Sequence, residues 1–300
     1  MGYPTEAMMT ADSLTSTLRG VKNLPTLPQV AIHLLQLLND PDSSIEDVNG
    51  VMSKAPSLAA TVLRIVNSSY YGLRHKVSSL SHALSLLGYR AVKNMVLTAA
   101  ASGLFRVRKC TACFSEETFT LHSIASAAVC RYLAHFSGVA DPEFAFSLGL
   151  LHDIGKLTMD QCFPEEYYGA VMWARRNREH AHIAELGQCG YDHSQVGEAL
   201  ATLWKLPQDL SGAIGLHHNH EAIIGNDILA LAHIADYACC VKGYSCYDMF
   251  IPVELNHDAW KRLGLDANVL PHLFTALGAE IDNAREMLAS AVGTSAGSKL

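Results

Sequence analysis

Apolar residues in this chain recur almost everywhere at helical spacing and nowhere in a sustained alternation, which confines it to an all-α fold. Val30, Leu34, Leu37 and Leu38 share one helix face, and their stripe stops at Asn39-Asp40-Pro41-Asp42. Ser44 suits the cap of a short helix through Met52, with Asp47 three residues on as a variant of the capping box. Pro56 falls in the first turn of the next helix, whose stripe is Leu58, Val62, Ile65 and Val66, and Gly72 suits its end. Two further stripes follow, Leu80, Ala83, Leu84 and Leu87, then Val92, Met95, Val96 and Ala99. Helices are also expected over 118–136, 143–153, 165–178, 194–204, 208–218 and 226–241. Phe250-Ile251-Pro252-Val253 is too short for a strand and holds a proline.

The weakest helical face lies over 103–117, and a lobe boundary is placed there. The expected layout is a flexible terminus over 1–20, an amino-terminal helical lobe over 21–105 and a second helical lobe over 106–245. C-terminal helices follow over 246–292, then a disordered tail over 293–300. With 300 residues, 49% of them hydrophobic, the chain has ample material for a core. A net charge of −7 provides no global cationic field for nucleic acid or an anionic membrane. The start, Met1-Gly2-Tyr3-Pro4-Thr5-Glu6, lacks the layout of a signal peptide, and no run reaches the ~18 apolar residues of a membrane span. Eight cysteines scattered over a long chain read as free thiols of a cytoplasmic protein.

Fifteen histidines are the unusual count, and their placement carries the chemistry. Leu148-Gly149-Leu150-Leu151-His152-Asp153-Ile154-Gly155-Lys156 runs an apolar helix into adjacent His and Asp. Neighbours on a helix diverge by about 100°, so one small group cannot easily engage both, whereas a metal cluster at the helix end can. The competing reading is a capped helix end with a satisfied polar pair. His122 lies 30 residues earlier, on a helix whose other face carries Ile124, Ala128, Val129 and Leu133. His193 opens another helix, His217-His218 close a third, and Asp236 sits in a largely apolar fourth, where a bare carboxylate would be costly. Imidazole and carboxylate together suit Fe, Mn, Zn or Ni.

The order His122, His152-Asp153, His193, His217-His218, Asp236 resembles the HD superfamily. The chain is more specifically similar to its HDOD branch. That likeness is carried by Leu24-Pro25-Thr26-Leu27-Pro28, by Ala55-Pro56-Ser57-Leu58 with Arg64-Ile65-Val66-Asn67-Ser68, and by Ala83-Leu84-Ser85-Leu86-Leu87-Gly88. It continues in His193-Ser194-Gln195-Val196-Gly197 and in Trp204-Lys205-Leu206-Pro207, and spans roughly 20–245. The resemblance implies a multi-helix HDOD fold in which 106–245 is an HD-like metal-binding lobe, and a role in bacterial signal transduction. Many HDOD members have lost metal ligands; this one keeps them. Gly-Tyr-Pro, which follows the tandem histidines of the related HD-GYP phosphodiesterases, is replaced by Asn219-His220-Glu221, and Thr118 stands where three-metal relatives carry Glu. That disfavours cyclic di-GMP hydrolysis and points to two ions rather than three.

Three functions compete. In a metal-dependent phosphohydrolase acting on a phosphoester or nucleotide, Asp153 would bridge two ions, with His122, His152, His193, His217, His218 and Asp236 completing their shells. Lys156 would stabilise charge on the phosphate, or be a plain solvated lysine. In a non-catalytic signalling module, the metal would be structural or regulatory. The amino-terminal helical lobe, with Tyr70, Tyr71, Tyr89, Arg90 and Lys93, would then bind a protein or nucleotide, unless those tyrosines are core aromatics. A di-iron oxygenase would use the same ligands. Cys110 and Cys113 read as ordinary thiols, and Cys239-Cys240 as helix packing. His180 and His182 read as surface, and His220 and His233 as neighbours of the ligands. His33, His75, His82, His135, His257 and His272 lack a partner pattern.

Overall fold

A computed structural model of the chain describes residues 11–22, 24–104, 115–247, 251, 255–265 and 270–292. Helices dominate these residues, and no strand occurs among them. The amino-terminal half holds α1 (Ala11–Arg19), α2 (Gln29–Asn39), α3 (Ile45–Met52), α4 (Pro56–Val66) and α5 (Leu80–Leu104). The middle holds α6 (Glu116–Ser137), α7 (Pro142–Leu151), α8 (Ile154–Cys162), α9 (Pro164–Asn177) and α10 (Ala181–Cys189). It continues with α11 (His193–Leu203), α12 (Gln208–Leu216), α13 (His220–Gly225) and α14 (Asp227–Val241). Then come α15 (His257–Arg262) and α16 (Leu270–Val292). No described helix is long and apolar enough to cross a membrane.

Local chemistry accounts for the helix ends. At α3 the Asp47 amide donates to the Ser44 hydroxyl at 3.1 Å, and the Ser44 amide donates back to the Asp47 carboxylate at 3.0 Å, forming the capping box expected. Pro56 occupies the first turn of α4. That helix stops at Val66, and Gly72 instead takes φ +56° in the turn that follows. The two stripes between 80 and 99 belong to one long element, broken inside by Gly88 at φ +81°, ψ 170°.

Residues 11–19 depart from the expectation of a flexible terminus. They form α1, whose Leu14 and Leu18 are buried and which packs on α11. The stripe is two leucines four apart, too short to be read without the surface it covers. At the other end α16 packs on α4, α5 and α6. Asn94 of α5 donates to the Glu143 backbone carbonyl at 2.9 Å and accepts from the Ser147 hydroxyl, pinning α5 to α7. Segments 105–114 and 293–300, with Cys110, Cys113 and most of the proposed lobe boundary, lie outside the described residues, as does the side chain of His272.

Two glycines set how closely the central helices approach. A Cβ on Gly149 of α7 would fall 2.6 Å from the Ser126 carbonyl oxygen of α6. One on Gly155 of α8 would fall 1.8 Å from the His193 carbonyl oxygen at the head of α11. Both contacts are with backbone, which cannot yield as a side chain does. They draw the ends of α7, α8 and α11 together around a single point, and the candidate centre lies there.

A candidate metal centre at the helix junction

His152 follows the last residue of α7 and Asp153 precedes the first of α8, so the doublet occupies the corner between two helices. His122 comes from the buried face of α6, His193 from the first position of α11, His217 and His218 from the end of α12, and Asp236 from α14. Every residue proposed as a ligand from sequence is therefore brought to one place. Asp153 is its hub. Its Oδ2 lies 3.2 Å from His122 Nε2, and its Oδ1 lies 3.5, 3.3 and 3.8 Å from Nε2 of His152, His193 and His217. Asp236 Oδ1 lies 3.4 Å from His122 Nε2 and 3.9 Å from His152 Nε2. The donor atoms fall into two groups, Asp153 with His193, His217 and His218, and Asp153 with His122, His152 and Asp236, each within 4.8 Å of one another. Asp153 is common to both.

The imidazoles are fixed from behind. Nδ1 of His122 donates to the Tyr244 carbonyl at 2.7 Å, that of His152 to Gly149 at 2.9 Å, and that of His217 to Ile214 at 2.6 Å. A carbonyl oxygen only accepts, so each Nδ1 carries a proton, and in the neutral imidazole each Nε2 presents a lone pair. Those three Nε2 atoms are buried and have no hydrogen-bond partner. Bare lone pairs facing carboxylate oxygens in the protein interior are costly unless a cation lies between them. The residues present thus fit a metal ion by position, tautomer and donor chemistry, and mixed imidazole and carboxylate donors suit a first-row transition metal.

Charge at the centre follows the same logic. Burial opposes ionisation of Asp153, yet His152 and the Lys156 ammonium beside it hold it well below the usual carboxylate range. Asp236 is likewise pulled down against its burial by His152 and His122. Burial alone pushes His217 and His218 down, and the neighbouring imidazoles add to it, keeping both neutral. Lys156 is not a solvated lysine. Only 6% exposed, it donates from Nζ to Asp153 Oδ2 at 2.7 Å, and this carboxylate holds its charge against burial.

Sequence reasoning passed over three groups that the fold recruits. Glu185 of α10 is fully buried and accepts from His193 Nδ1 at 2.6 Å and from the His193 amide at 2.8 Å. Burial disfavours the imidazolium of His193, but Glu185 outweighs it and lifts that pKa to about 9. The available signal was a lone acid on the face of Ala181 and Ala184. His182, expected at the surface, instead stacks on His218 with ring centroids 4.3 Å apart and planes 10° off parallel. Asn256, before α15, links His220 and His233, donating from Nδ2 to His220 Nδ1 at 3.1 Å and from its backbone N–H to His233 Nε2 at 2.9 Å. Nothing in the spacing of these three revealed their use.

The remaining readings resolve by burial. Cys239 is buried in α14, while Cys240 lines the pocket, its thiol 3.5 Å from Asp236 Oδ1. Tyr70 packs against Tyr71 and Phe146, with the Arg131 guanidinium 5.1 Å above its ring. His33, His75, His82, His135 and His257 are exposed. A cavity of about 200 Å³ opens beside the centre, lined among others by Lys156, His182, His218, Asp236, Tyr237 and Asn256.

Replacing Glu185 by Gln keeps the volume and removes the charge that orients His193. Metal affinity is expected to fall by about 10- to 100-fold, the usual effect of losing a partner behind a ligand. Chelator competition measures it, and an unchanged far-ultraviolet circular dichroism spectrum confirms that the helices remain.

Similar proteins share this architecture. A 1.90 Å structure of an HDOD domain protein of unknown function from Geobacter sulfurreducens superposes with a TM-score of 0.76 at 25% identity, over 93% of this chain and 99% of that one. A protein of Shewanella amazonensis, provisionally named a phosphohydrolase, gives 0.74 at 24% identity, over 95% of this chain and 100% of that one. An uncharacterized protein of Treponema pallidum (strain Nichols) is 23% identical over 202 residues, 66% of this chain, which spans 38% of that relative's length. The HDOD domain itself matches residues 24–220, about two thirds of the sequence, and the chain belongs to that family.

Proposed function

We propose that this HDOD protein holds two divalent transition-metal ions (Fe, Mn, Zn or Ni) and hydrolyses a phosphoester or nucleotide in bacterial signal transduction. The observation that carries the reading is the set of three buried, partnerless Nε2 lone pairs converging on Asp153 beside an open pocket. Asp153 would be shared by both ions. His193, His217 and His218 would complete one shell, and His122, His152 and Asp236 the other. A bound pair of ions supplies Lewis acidity toward phosphoryl oxygens and lowers the pKa of water toward neutrality. The protein's own part is to orient and to exclude solvent. Backbone carbonyls and Glu185 fix the imidazole tautomers, and Lys156 sets a positive charge next to the shared carboxylate.

A second reading, a signalling module whose metal is structural or regulatory, draws on one specific feature. Lys156 already engages one oxygen of Asp153, which partly neutralises the hub without any metal. The two readings separate on one preparation. Protein purified without chelator or nickel resin is expected to carry about two metal equivalents and to turn over p-nitrophenyl phosphate or a nucleotide. Metal without turnover of any phosphoester leaves the second reading in front, and absence of metal sinks the dinuclear centre.

A further inference from the structure

A second cavity, of about 370 Å³, holds groups of opposite charge that do not pair with each other. It opens between α6, the head of α7, α16 and the turn after α4, and is lined among others by Tyr70, Arg131, Tyr132, Glu143, Glu280 and Asn283. Arg131 stands nine residues along α6 from His122, about 13 Å at 1.5 Å per residue, so this is a separate place from the candidate centre.

The polar groups of this cavity are only partly used. The Arg131 guanidinium lies over the rings of Tyr70 and Tyr71, 5.1 and 5.7 Å from their centroids. Its Nε faces Glu143 Oε1 at 3.4 Å, and the other oxygen of Glu143 accepts from Asn94 Nδ2 at 2.7 Å. No carbonyl or carboxylate among the described residues accepts from the terminal nitrogens of Arg131. Beside it the Tyr70 hydroxyl is buried and finds no acceptor for its proton, a rare and costly state for a donor. Glu280 of α16 is half-buried and forms no side-chain hydrogen bond or ion pair among the described residues. Burial lifts its pKa above the ordinary glutamate value, and the charge of Arg131 offsets this only in part.

We infer that this cavity binds a small zwitterion with a carboxylate at one end and an ammonium group at the other, the chemistry of a free amino acid. The ligand carboxylate accepts from the terminal N–H groups of Arg131 and from the Tyr70 hydroxyl, the neighbouring donors that the fold leaves without an acceptor. The ligand ammonium donates to Glu280. A plain anion would leave the Glu280 carboxylate unmatched, and a plain cation would leave Arg131 and the phenol unmatched; a zwitterion answers both. The Tyr132 ring, stacked on Phe136, offers an apolar wall to the ligand side chain. The volume lies at the lower end of the range for ligand pockets, which suits a molecule of amino-acid size.

The test is thermal unfolding of the full chain with each of the standard L-amino acids in turn, followed by calorimetric titration of the best. At least one with an apolar or aromatic side chain is expected to raise Tm by about 3 °C at ten times its Kd. Its N-acetyl and carboxamide derivatives each lose one of the two charges and are expected to bind at least about tenfold more weakly. Glu280→Gln is expected to weaken the parent amino acid by a similar factor, with an unchanged far-ultraviolet circular dichroism spectrum. That variant keeps every candidate metal donor, so an amino acid that only chelated ions would bind it undiminished. Tyr70→Phe, which keeps the ring beneath Arg131, is expected to cost about fivefold. Failure of every amino acid to shift Tm overturns the inference, as does binding that survives either acetylation of the ammonium or Glu280→Gln.

Discussion

Asp153→Ala is expected to lower the metal content from about two equivalents to nearly none and to abolish any phosphoester turnover. Both donor groups contain this carboxylate, so its loss removes a ligand from each at once and leaves mostly neutral imidazoles to hold divalent ions. The substitution also strands Lys156, whose ammonium is buried and bonded to Asp153. Breaking a buried pair from one side costs about 3–5 kcal/mol, so the single variant confounds metal loss with destabilisation. The double variant Asp153→Ala, Lys156→Met separates them. It removes both charges, and its stability in urea should return toward that of the metal-free parent while its metal content stays near zero. Metal retained at the parental level in the double variant would show that the ions sit elsewhere.

Gly155→Ala is expected to be the most disruptive alanine substitution among the described glycines. The added Cβ would lie 1.8 Å from the His193 carbonyl oxygen and 2.8 Å from the Gly197 amide nitrogen, so α8 and α11 must part. Forced overpacking of this kind costs roughly 3 kcal/mol, and backbone in place of a yielding side chain puts the site at the upper end. Separation also moves Asp153, at the head of α8, away from His193, at the head of α11, so metal affinity should fall together with stability. Gly212→Ala is the control. Gly212 lies within α12, and a Cβ there meets nothing within 4 Å, so a gain of up to about 1 kcal/mol from helix propensity is expected. Equal effects of the two variants in urea denaturation would show that the close approach of α8 and α11 does not hold the centre together.

Much of this protein is legible in one dimension. Helical periodicity fixes the fold class because every apolar stripe must be buried by another helix. The capping box at Ser44 and Asp47 and Pro56 at the start of α4 are local chemistry, decided within a few residues. The candidate donor set was proposed from a pattern of residue types, His152-Asp153 at the end of an apolar helix with four further histidines and Asp236 in order, and the fold brings those side chains together. Burial in the structure then answers what the pattern alone left open about Lys156.

What the sequence did not disclose depends on contacts between elements distant along the chain. Glu185 serves His193 because α10 and α11 bring them together, and an acid eight residues from a histidine has no helical or strand period to announce it. His182 looked like a surface residue beside a charged run until the end of α12 placed His218 over its ring. Asn256 engages His220 and His233 across 36 and 23 residues, through two hydrogen bonds available only once α15 is docked. Leu14 and Leu18 make a helix of a segment too short to nucleate alone, because α11 supplies the surface that buries them. Residue types and their order specified the helices and the candidate metal donors. The orientation of those donors, their charge and the pocket beside them were decided by packing, because hydrogen bonds and burial depend on distance in space and not on separation in sequence.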